Sequence, residues 1–362
     1  MHQVVIVGAG MAGMACARAL SRGGYRPRLV APGHDAANRG ETLSFRASPY
    51  LQNLDWLDLL DAETAVACQG RFSVWGNSAL RHDSFHQEGT SGWHIDRERL
   101  EARMAASLEA DGVERLCGEA RQLTRSSDRI IVDLADGASI EAEFVVDCSG
   151  RSSITSGPEA PLRRLDKLVA CYRIYDLDHD VEAVPATLVE AVESGWWYMS
   201  MMPRARILLG FFTDSDLLPA GLRKDMNLWA DMASQTRAVS VRLGSLGIDA
   251  ALAGQLQFAP ASTTTMSGLV DHRIVRAGDA ASALDPLGAN GLATALWSGM
   301  QAAESIAGLL ARDDTAFRHY EQQFLAGIAS HLLMQRAMYA SERRFVNAPF
   351  WRRRNCASDV QI

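Results

Sequence analysis

The chain has 362 residues, enough for about two domains. It is 48% hydrophobic and 22% charged, the balance of a water-soluble globular protein with a sizeable core. Its formal net charge of -7 argues against a nucleic-acid partner, whose phosphates require a basic face, and no apolar run reaches the ~20 residues of a membrane helix.

Val4-Val5-Ile6-Val7 is a β-branched run suited to a strand buried on both faces of a parallel sheet. No basic-then-apolar leader precedes it, so a cytoplasmic location is expected. Gly8-Ala9-Gly10-Met11-Ala12-Gly13 follows, then an alanine-rich helical stretch from Met14 to Arg22 and a second strand at Arg28-Leu29-Val30. That order is the context in which GxGxxG reads as a dinucleotide site. Gly8 allows the tight turn, Gly10 the approach of a pyrophosphate, and Gly13 close packing of the helix on the strand. Met11 and Ala12 complete the turn, and the N-terminus of the helix that follows offers free N–H groups to the phosphates. The acidic residue that usually ends the second strand is replaced by Ala31, with His34 and Asp35 as the nearest substitutes. The fingerprint leaves NAD and FAD both open.

Asp136-Gly137 between Ile130–Leu134 and Ile140–Val146 predicts a hairpin. Strands are expected at Leu168–Ile174, Trp196–Met202 and Ile207–Phe212, with a turn at Pro203-Arg204. Farther on, Ile274-Val275-Arg276-Ala277-Gly278-Asp279 reads as a strand and a Gly-Asp turn. The loop from Pro286 through Gly288 and Asn290 to Gly291 then opens a helix from about Ala293 to Leu310. An acidic side chain after a strand, here Asp279, accepts hydrogen bonds from polyol hydroxyls. Loop N–H groups at a helix N-terminus stabilise negative charge on a reduced flavin ring. Together with the N-terminal fingerprint, this favours FAD. Beyond Phe317 the chain reads as helical and ends in the arginine-rich stretch Arg352 to Arg354. The six cysteines are scattered and show no metal-ligand spacing, so no metal is expected. The only lysines are Lys167 and Lys224.

These motifs place the fold in the α/β class: a Rossmann-type FAD-binding domain with an antiparallel-sheet substrate domain and a helical C-terminus. The FAD domain is expected to be discontinuous, from 1–70, 90–155 and 265–325. The substrate domain would comprise 71–89 and 156–264, and residues 326–362 a C-terminal helical segment.

Further segments carry a resemblance to a family. Arg39-Gly40-Glu41-Thr42, Gly92-Trp93-His94-Ile95-Asp96-Arg97-Glu98-Arg99-Leu100 and Val145-Val146-Asp147-Cys148-Ser149-Gly150-Arg151 resemble segments of the flavin-dependent monooxygenase superfamily with the glutathione-reductase-type FAD fold. The chain is most similar to its tryptophan-halogenase-like branch. Tyr339-Ala340-Ser341-Glu342-Arg343-Arg344 and Pro349-Phe350-Trp351-Arg352-Arg353-Arg354 resemble the subgroup that hydroxylates a tryptophan side chain in a partner protein during tryptophylquinone biogenesis. The resemblance implies that Arg39 and Arg97 contact the FAD pyrophosphate or ribityl region and Asp279 a ribityl hydroxyl. It also implies O2 as co-substrate, activated as a flavin C4a-hydroperoxide. FAD would be reduced by NAD(P)H, directly or through a separate flavin reductase; the weakened ribose contact at Ala31 suits uptake of reduced flavin from solution.

Halogenases of this branch use a lysine in the segment that here reads Gly70-Arg71-Phe72-Ser73-Val74-Trp75-Gly76-Asn77, which has none. Their Glu-Ser-Thr before the loop glycine is Gly288, Ala289 and Asn290 here, and their G-W-x-W-x-I-P motif becomes Gly195-Trp196-Trp197-Tyr198. Hydroxylation of an aromatic, tryptophan-derived substrate is therefore expected, on a peptide or protein or on a small natural product. Oxidation or reduction without oxygen insertion is the alternative. Trp75, Trp93, Trp196 and Tyr198 are candidates for the substrate pocket, and Glu41 and Trp197 for catalytic roles. His94 reads either as a proton carrier or as a hydrogen-bonded structural histidine.

Overall fold

The β-branched strand His2–Val7 lies at the centre of an eight-stranded sheet, with Val4, Val5 and Ile6 fully buried. This computed structural model describes residues 2–33, 40–84, 92–126, 128–158, 160–177, 184–252 and 255–355. Five strands of that sheet are parallel, in the spatial order Ile274–Arg276, Ser139–Asp147, His2–Val7, Pro27–Ala31 and Glu114–Cys117. The predicted hairpin forms on its flank, where Ile130–Leu134 pairs antiparallel with Ser139–Asp147 and Gly137 takes a φ of +88°. The helix Met11–Arg22 packs closely against Gly291–Leu310, because Gly299 has no side chain. A Cβ there would stand 2.2 Å from the Ala12 carbonyl oxygen. The glycine turn and the downstream loop are thus held side by side.

A second, seven-stranded sheet runs in the order Gln257–Pro260, Leu168–Asp176, Arg206–Asp214, Gly195–Met202, Ala186–Val192, Gly70–Val74 and Arg81–Ser84. The turn predicted at Pro203-Arg204 is present, with Arg204 and Ala205 at positive φ. Every pairing is antiparallel except that of Ala186–Val192 with Gly70–Val74. This one parallel pair departs from the antiparallel expectation, because Gly70–Val74 enters the sheet from a distant stretch of chain rather than through a hairpin. Alternate residues on a strand point to opposite faces. One face, with Trp197, Met199, Leu209 and Phe211, is covered by the helices Met226–Ser234 and Ala238–Ser245 around Trp229. The other, with Trp196, Tyr172 and Leu208, looks toward the FAD-type sheet and the C-terminal helices.

The C-terminal chain fastens the two sheets. The helix Thr315–Ser341 places Tyr320 and Phe324 on the first core and Tyr339 on the second sheet. Glu342 is fully buried and accepts a hydrogen bond from the Gly76 N–H at 2.8 Å. The helix Pro349–Asn355 buries Phe350 and Trp351, and the Trp351 indole N–H donates to the Val192 carbonyl at 2.8 Å. Arg353 and Arg354 are ion-paired with Asp214. Among the described residues no helix is long and apolar enough to cross a membrane, and no cluster is placed to hold a metal ion.

Candidate functional site

A cavity of about 300 Å³ opens where the glycine turn, the Gly-Asp turn and the second sheet meet. Gly10, Met11 and Ala12 form one wall, at the N-terminus of the first helix. Gly8 and Gly13 do not face the cavity, yet they make it possible. Gly8 sits at φ +105°, where a Cβ would lie 2.1 Å from the Cys148 carbonyl oxygen. A Cβ on Gly13 would lie 1.8 Å from the Gly8 carbonyl. The residues present therefore fit the pyrophosphate of a dinucleotide: bare backbone, free N–H groups and the positive end of a helix dipole.

Arg97 lines the same cavity and is held between two carboxylates, Glu41 at 2.6 Å and Glu101 at 2.8 Å. The charge of Glu41 is the main cause that pushes the guanidinium pKa up against the cost of burial, so Arg97 stays charged. We expect Arg97→Gln to weaken FAD binding by about tenfold, the worth of one charge-assisted hydrogen bond. Titration followed by flavin fluorescence checks this, and an unchanged Kd removes Arg97 from the cofactor site. Asp279 lies across the cavity beside Arg151, at 3.5 Å. Pro286, Ala289, Gly291 and Leu292 bring the downstream loop to its edge. Gly288 and Asn290 do not line it: Gly288 faces His331, to which a Cβ would approach within 3.2 Å, and Asn290 lies beside it. Arg39 lies outside the described residues, as do His34 and Asp35.

A second cavity, of about 820 Å³, adjoins the first and shares with it the lining residues Thr42, Trp196, Tyr198, Pro286 and Ala289. Trp196 stacks on Phe212 with ring centroids 3.9 Å apart, and the Tyr198 hydroxyl is hydrogen-bonded to Thr42. Trp75 lines the second cavity and donates from its indole N–H to the Met338 carbonyl at 2.9 Å. Two expected residues are elsewhere. Trp197 is buried on the opposite face of the strand, tilted against Trp229 at 4.7 Å, because three consecutive strand residues cannot share one face. It is a core residue and cannot act at the cavity. Trp93 packs against the first core and lines neither cavity.

His94 is fully buried, with Nε2 2.9 Å from the Thr187 hydroxyl. Burial lowers its pKa to about 4, which makes it a neutral structural histidine rather than a proton carrier near neutral pH. In the unfolded chain the same imidazole takes up a proton near pH 6.5, so the native state binds fewer protons below that point. The stability it contributes is present above pH 6.5 and is lost as pH falls toward 4. We expect the wild type to lose about 2 kcal/mol between pH 6.5 and pH 5 from this group. His94→Gln should remove that part of the acid limb in urea unfolding; parallel pH profiles would show that His94 is not its source.

The feature that sequence reasoning missed is the role of Asp285. Its carboxylate is almost fully buried in the wall of the first cavity. It accepts hydrogen bonds from the Leu287 N–H at 2.8 Å and from Gln335 Nε2 and the Tyr339 hydroxyl, both at 2.9 Å. The Trp196 indole N–H donates in turn to Tyr339 at 3.2 Å. The loop after Asp285, the last long helix and the seven-stranded sheet thus meet at one carboxyl, whose pKa burial raises. Arg151, Cys148 and Gly150, from the Asp-x-Ser-Gly-Arg stretch, also line the first cavity; that motif was the signal that could have assigned them.

Comparison with known proteins agrees with this geometry. The chain is 24% identical over 375 residues, 99% of its own length and 98% of the other, to LodB of Marinomonas mediterranea, which is named as an FAD-dependent oxidoreductase. Among solved structures it is similar to QhpG, a peptidyl tryptophan dihydroxylase essential for tryptophylquinone cofactor biogenesis. The TM-score is 0.81 at 26% identity, covering 100% of this chain and 80% of that one. The flavin-dependent halogenase CmlS shares the fold, with a TM-score of 0.83 at 19% identity over 99% of this chain and 68% of that one. The family model described as tryptophan halogenase matches residues 51–361, and the chain belongs to that family of flavin-dependent enzymes.

Proposed function

We propose that this protein is an FAD-dependent monooxygenase that hydroxylates the indole of a tryptophan residue within a polypeptide, and that it does not halogenate. The observation that carries this reading is the pair of adjoining cavities. One is shaped for a dinucleotide; the other is roomy, and the indole ring of Trp196 and the phenol of Tyr198 stand at the junction. The likeness to QhpG, a peptidyl tryptophan dihydroxylase, supports the substrate class. No lysine lines either cavity among the described residues, and Lys167 is exposed and paired with Asp216 at 2.9 Å. The lysine on which halogenation in this branch relies therefore has no counterpart at the site.

Bound and reduced, FAD supplies electrophilic oxygen derived from O2. The chain's own residues do the rest. Gly10, Met11 and Ala12 present N–H groups to the pyrophosphate, Arg97 adds a fixed cation, and Asp279 accepts from a ribityl hydroxyl. The turn from Pro286 to Gly291 offers a helix N-terminus to negative charge. Trp196 and Tyr198 orient the indole and exclude water. Glu41 at the cavity wall accepts the proton that the hydroxylated ring carbon must release to restore aromaticity. Electrons come from NAD(P)H, directly or through a separate flavin reductase. The stretch Asp147-Cys148-Ser149-Gly150, in place of the Asp-Gly pair of single-component hydroxylases, favours the separate reductase.

The test is turnover of the reduced holoenzyme under isotopically labelled dioxygen with a tryptophan-containing peptide and bromide present. Labelled oxygen on the indole supports the reading. A brominated peptide would overturn the exclusion of halogenation, and stoichiometric hydrogen peroxide with unmodified peptide would overturn oxygen insertion.

A further inference from the structure

The second cavity is much larger than one indole requires: 820 Å³ lies at the upper end of the about 300–1,000 Å³ of whole-ligand pockets. Its lining is of two kinds. At the junction with the first cavity it is apolar and aromatic, through Trp196, Tyr198, Val189, Pro286 and Leu287. The lining also includes the exposed Arg71, Arg81 and Arg343, with Asp83 as the one acidic residue lining the cavity among those described. Asp83 is already engaged by Arg71, at 3.4 Å. Arg81 and Arg343 are exposed and have no ion-pair partner among the described residues. Phe45, 41% exposed, stands at the same mouth.

An excess of positive charge at this spot is set against the sign of the molecule, whose formal net charge is -7. A local excess of arginine on a molecule of net negative charge attracts an anionic ligand and helps to steer it to this spot. The rim arginines come from separate parts of the chain. Arg71 and Arg81 are on adjacent strands, and Arg343 follows the last long helix, between the buried Glu342 and Arg344, which pair with each other at 2.7 Å. Glu342 also accepts from the Gly76 N–H, which ties the backbone next to Arg343 to the strand side of the cavity. Guanidinium groups set apart in this way suit carboxylates spaced along an extended chain.

We propose that this mouth docks an acidic segment of the substrate polypeptide, with Arg81 and Arg343 engaging aspartate or glutamate residues that flank the target tryptophan. The inference deepens the aromatic-substrate reading above and rests on it for the placement of the indole. The cationic rim sets which tryptophan is presented; the aromatic junction sets only that it is an indole.

The experiment measures binding of dye-labelled short peptides to the oxidised, FAD-loaded protein by fluorescence anisotropy, without turnover. Each peptide carries one tryptophan, flanked by Asp/Glu, by Gln or by Lys. The acidic peptide is expected to bind about tenfold tighter than the Gln peptide at about 50 mM salt, with the advantage shrinking at about 200 mM. Arg81→Glu combined with Arg343→Glu should abolish that preference and favour the Lys peptide. Both side chains are exposed, so the fold and the flavin spectrum should be unchanged. Equal affinity for the three peptides would overturn the proposal, as would an acidic preference that survives the double substitution. So would binding of N-acetyltryptophan as tight as that of the acidic peptide, which would assign the cavity to a small molecule. A peptide that binds with the expected preference yet never gains oxygen sinks the hydroxylase reading and leaves the docking site standing.

Discussion

Gly8→Ala is expected to destabilise the protein by about 4 kcal/mol and to abolish retention of FAD on gel filtration. Two costs add. A residue with a Cβ held at φ +105° lies in backbone space that L residues rarely occupy, costing about 1–3 kcal/mol. The new methyl would also stand 2.1 Å from the Cys148 carbonyl oxygen and 2.6 Å from its carbon. Those are backbone atoms immediately after the neighbouring parallel strand Ser139–Asp147, unable to swing aside, so overpacking adds about 1–3 kcal/mol more. Relief requires the first turn of the Met11–Arg22 helix to move, and with it the N–H groups of the cofactor wall. Against a typical total stability of about 5–15 kcal/mol the variant should still fold, with a depressed Tm. Gly150→Ala supplies the contrast: it too has positive φ, but no heavy atom lies within 4 Å of its Cβ position. It should show the strain alone. Urea unfolding and flavin absorbance on both variants decide the matter; equal losses would mean that crowding at Cys148 contributes nothing.

The glycine turn was legible in the sequence because its causes are local: a turn, a helix start and a close crossing each demand a missing side chain. The Gly278-Asp279 turn and the loop after it were legible for the same reason. Trp196 to Tyr198 were legible only in part. Strand alternation forbids all three from facing one cavity, but which parity faces it depends on the helices Met226–Ser234 and Ala238–Ser245 lying over Trp197. That is tertiary information. Gly288 and Asn290 matched their loop motif by position, while the actual path of the turn aims Gly288 at His331 on another helix. Asp285 was invisible as a junction because its partners Gln335 and Tyr339 lie 50 and 54 residues away. Nothing in the spacing of one helix tells a reader which distant carboxylate it will reach.

That junction carries the second large effect. Asp285→Ala should cost about 3 kcal/mol, because the Leu287 N–H, the Gln335 amide and the Tyr339 hydroxyl lose their acceptor, and each donor left unsatisfied in the interior costs about 1–3 kcal/mol. The sum is held down because the carboxylate is itself disfavoured by burial. Asp285→Asn should cost less, about 1 kcal/mol. Its one amide oxygen can keep both Tyr339 and Gln335, which share a single carboxylate oxygen, and only the Leu287 N–H is left facing an amide NH2. The dependence on pH follows from the raised pKa. The folded state holds this proton more tightly than the unfolded chain, so the wild type loses stability as pH rises from the ordinary carboxylate range through the raised native value. The amide variant has no such loss, and the gap between the two should narrow from pH 4 to pH 7 in urea unfolding. The Ala variant should also bind FAD more weakly, since the loop Pro286–Gly288 loses its tie to the last long helix while the glycine wall is untouched. If Asn and Ala prove equally destabilising with no pH dependence, the carboxyl is a space-filler. The loop Pro286–Gly288 would then be held by packing alone rather than by the hydrogen bonds that join it to Tyr339 and, through Tyr339, to the Trp196 ring between the two cavities.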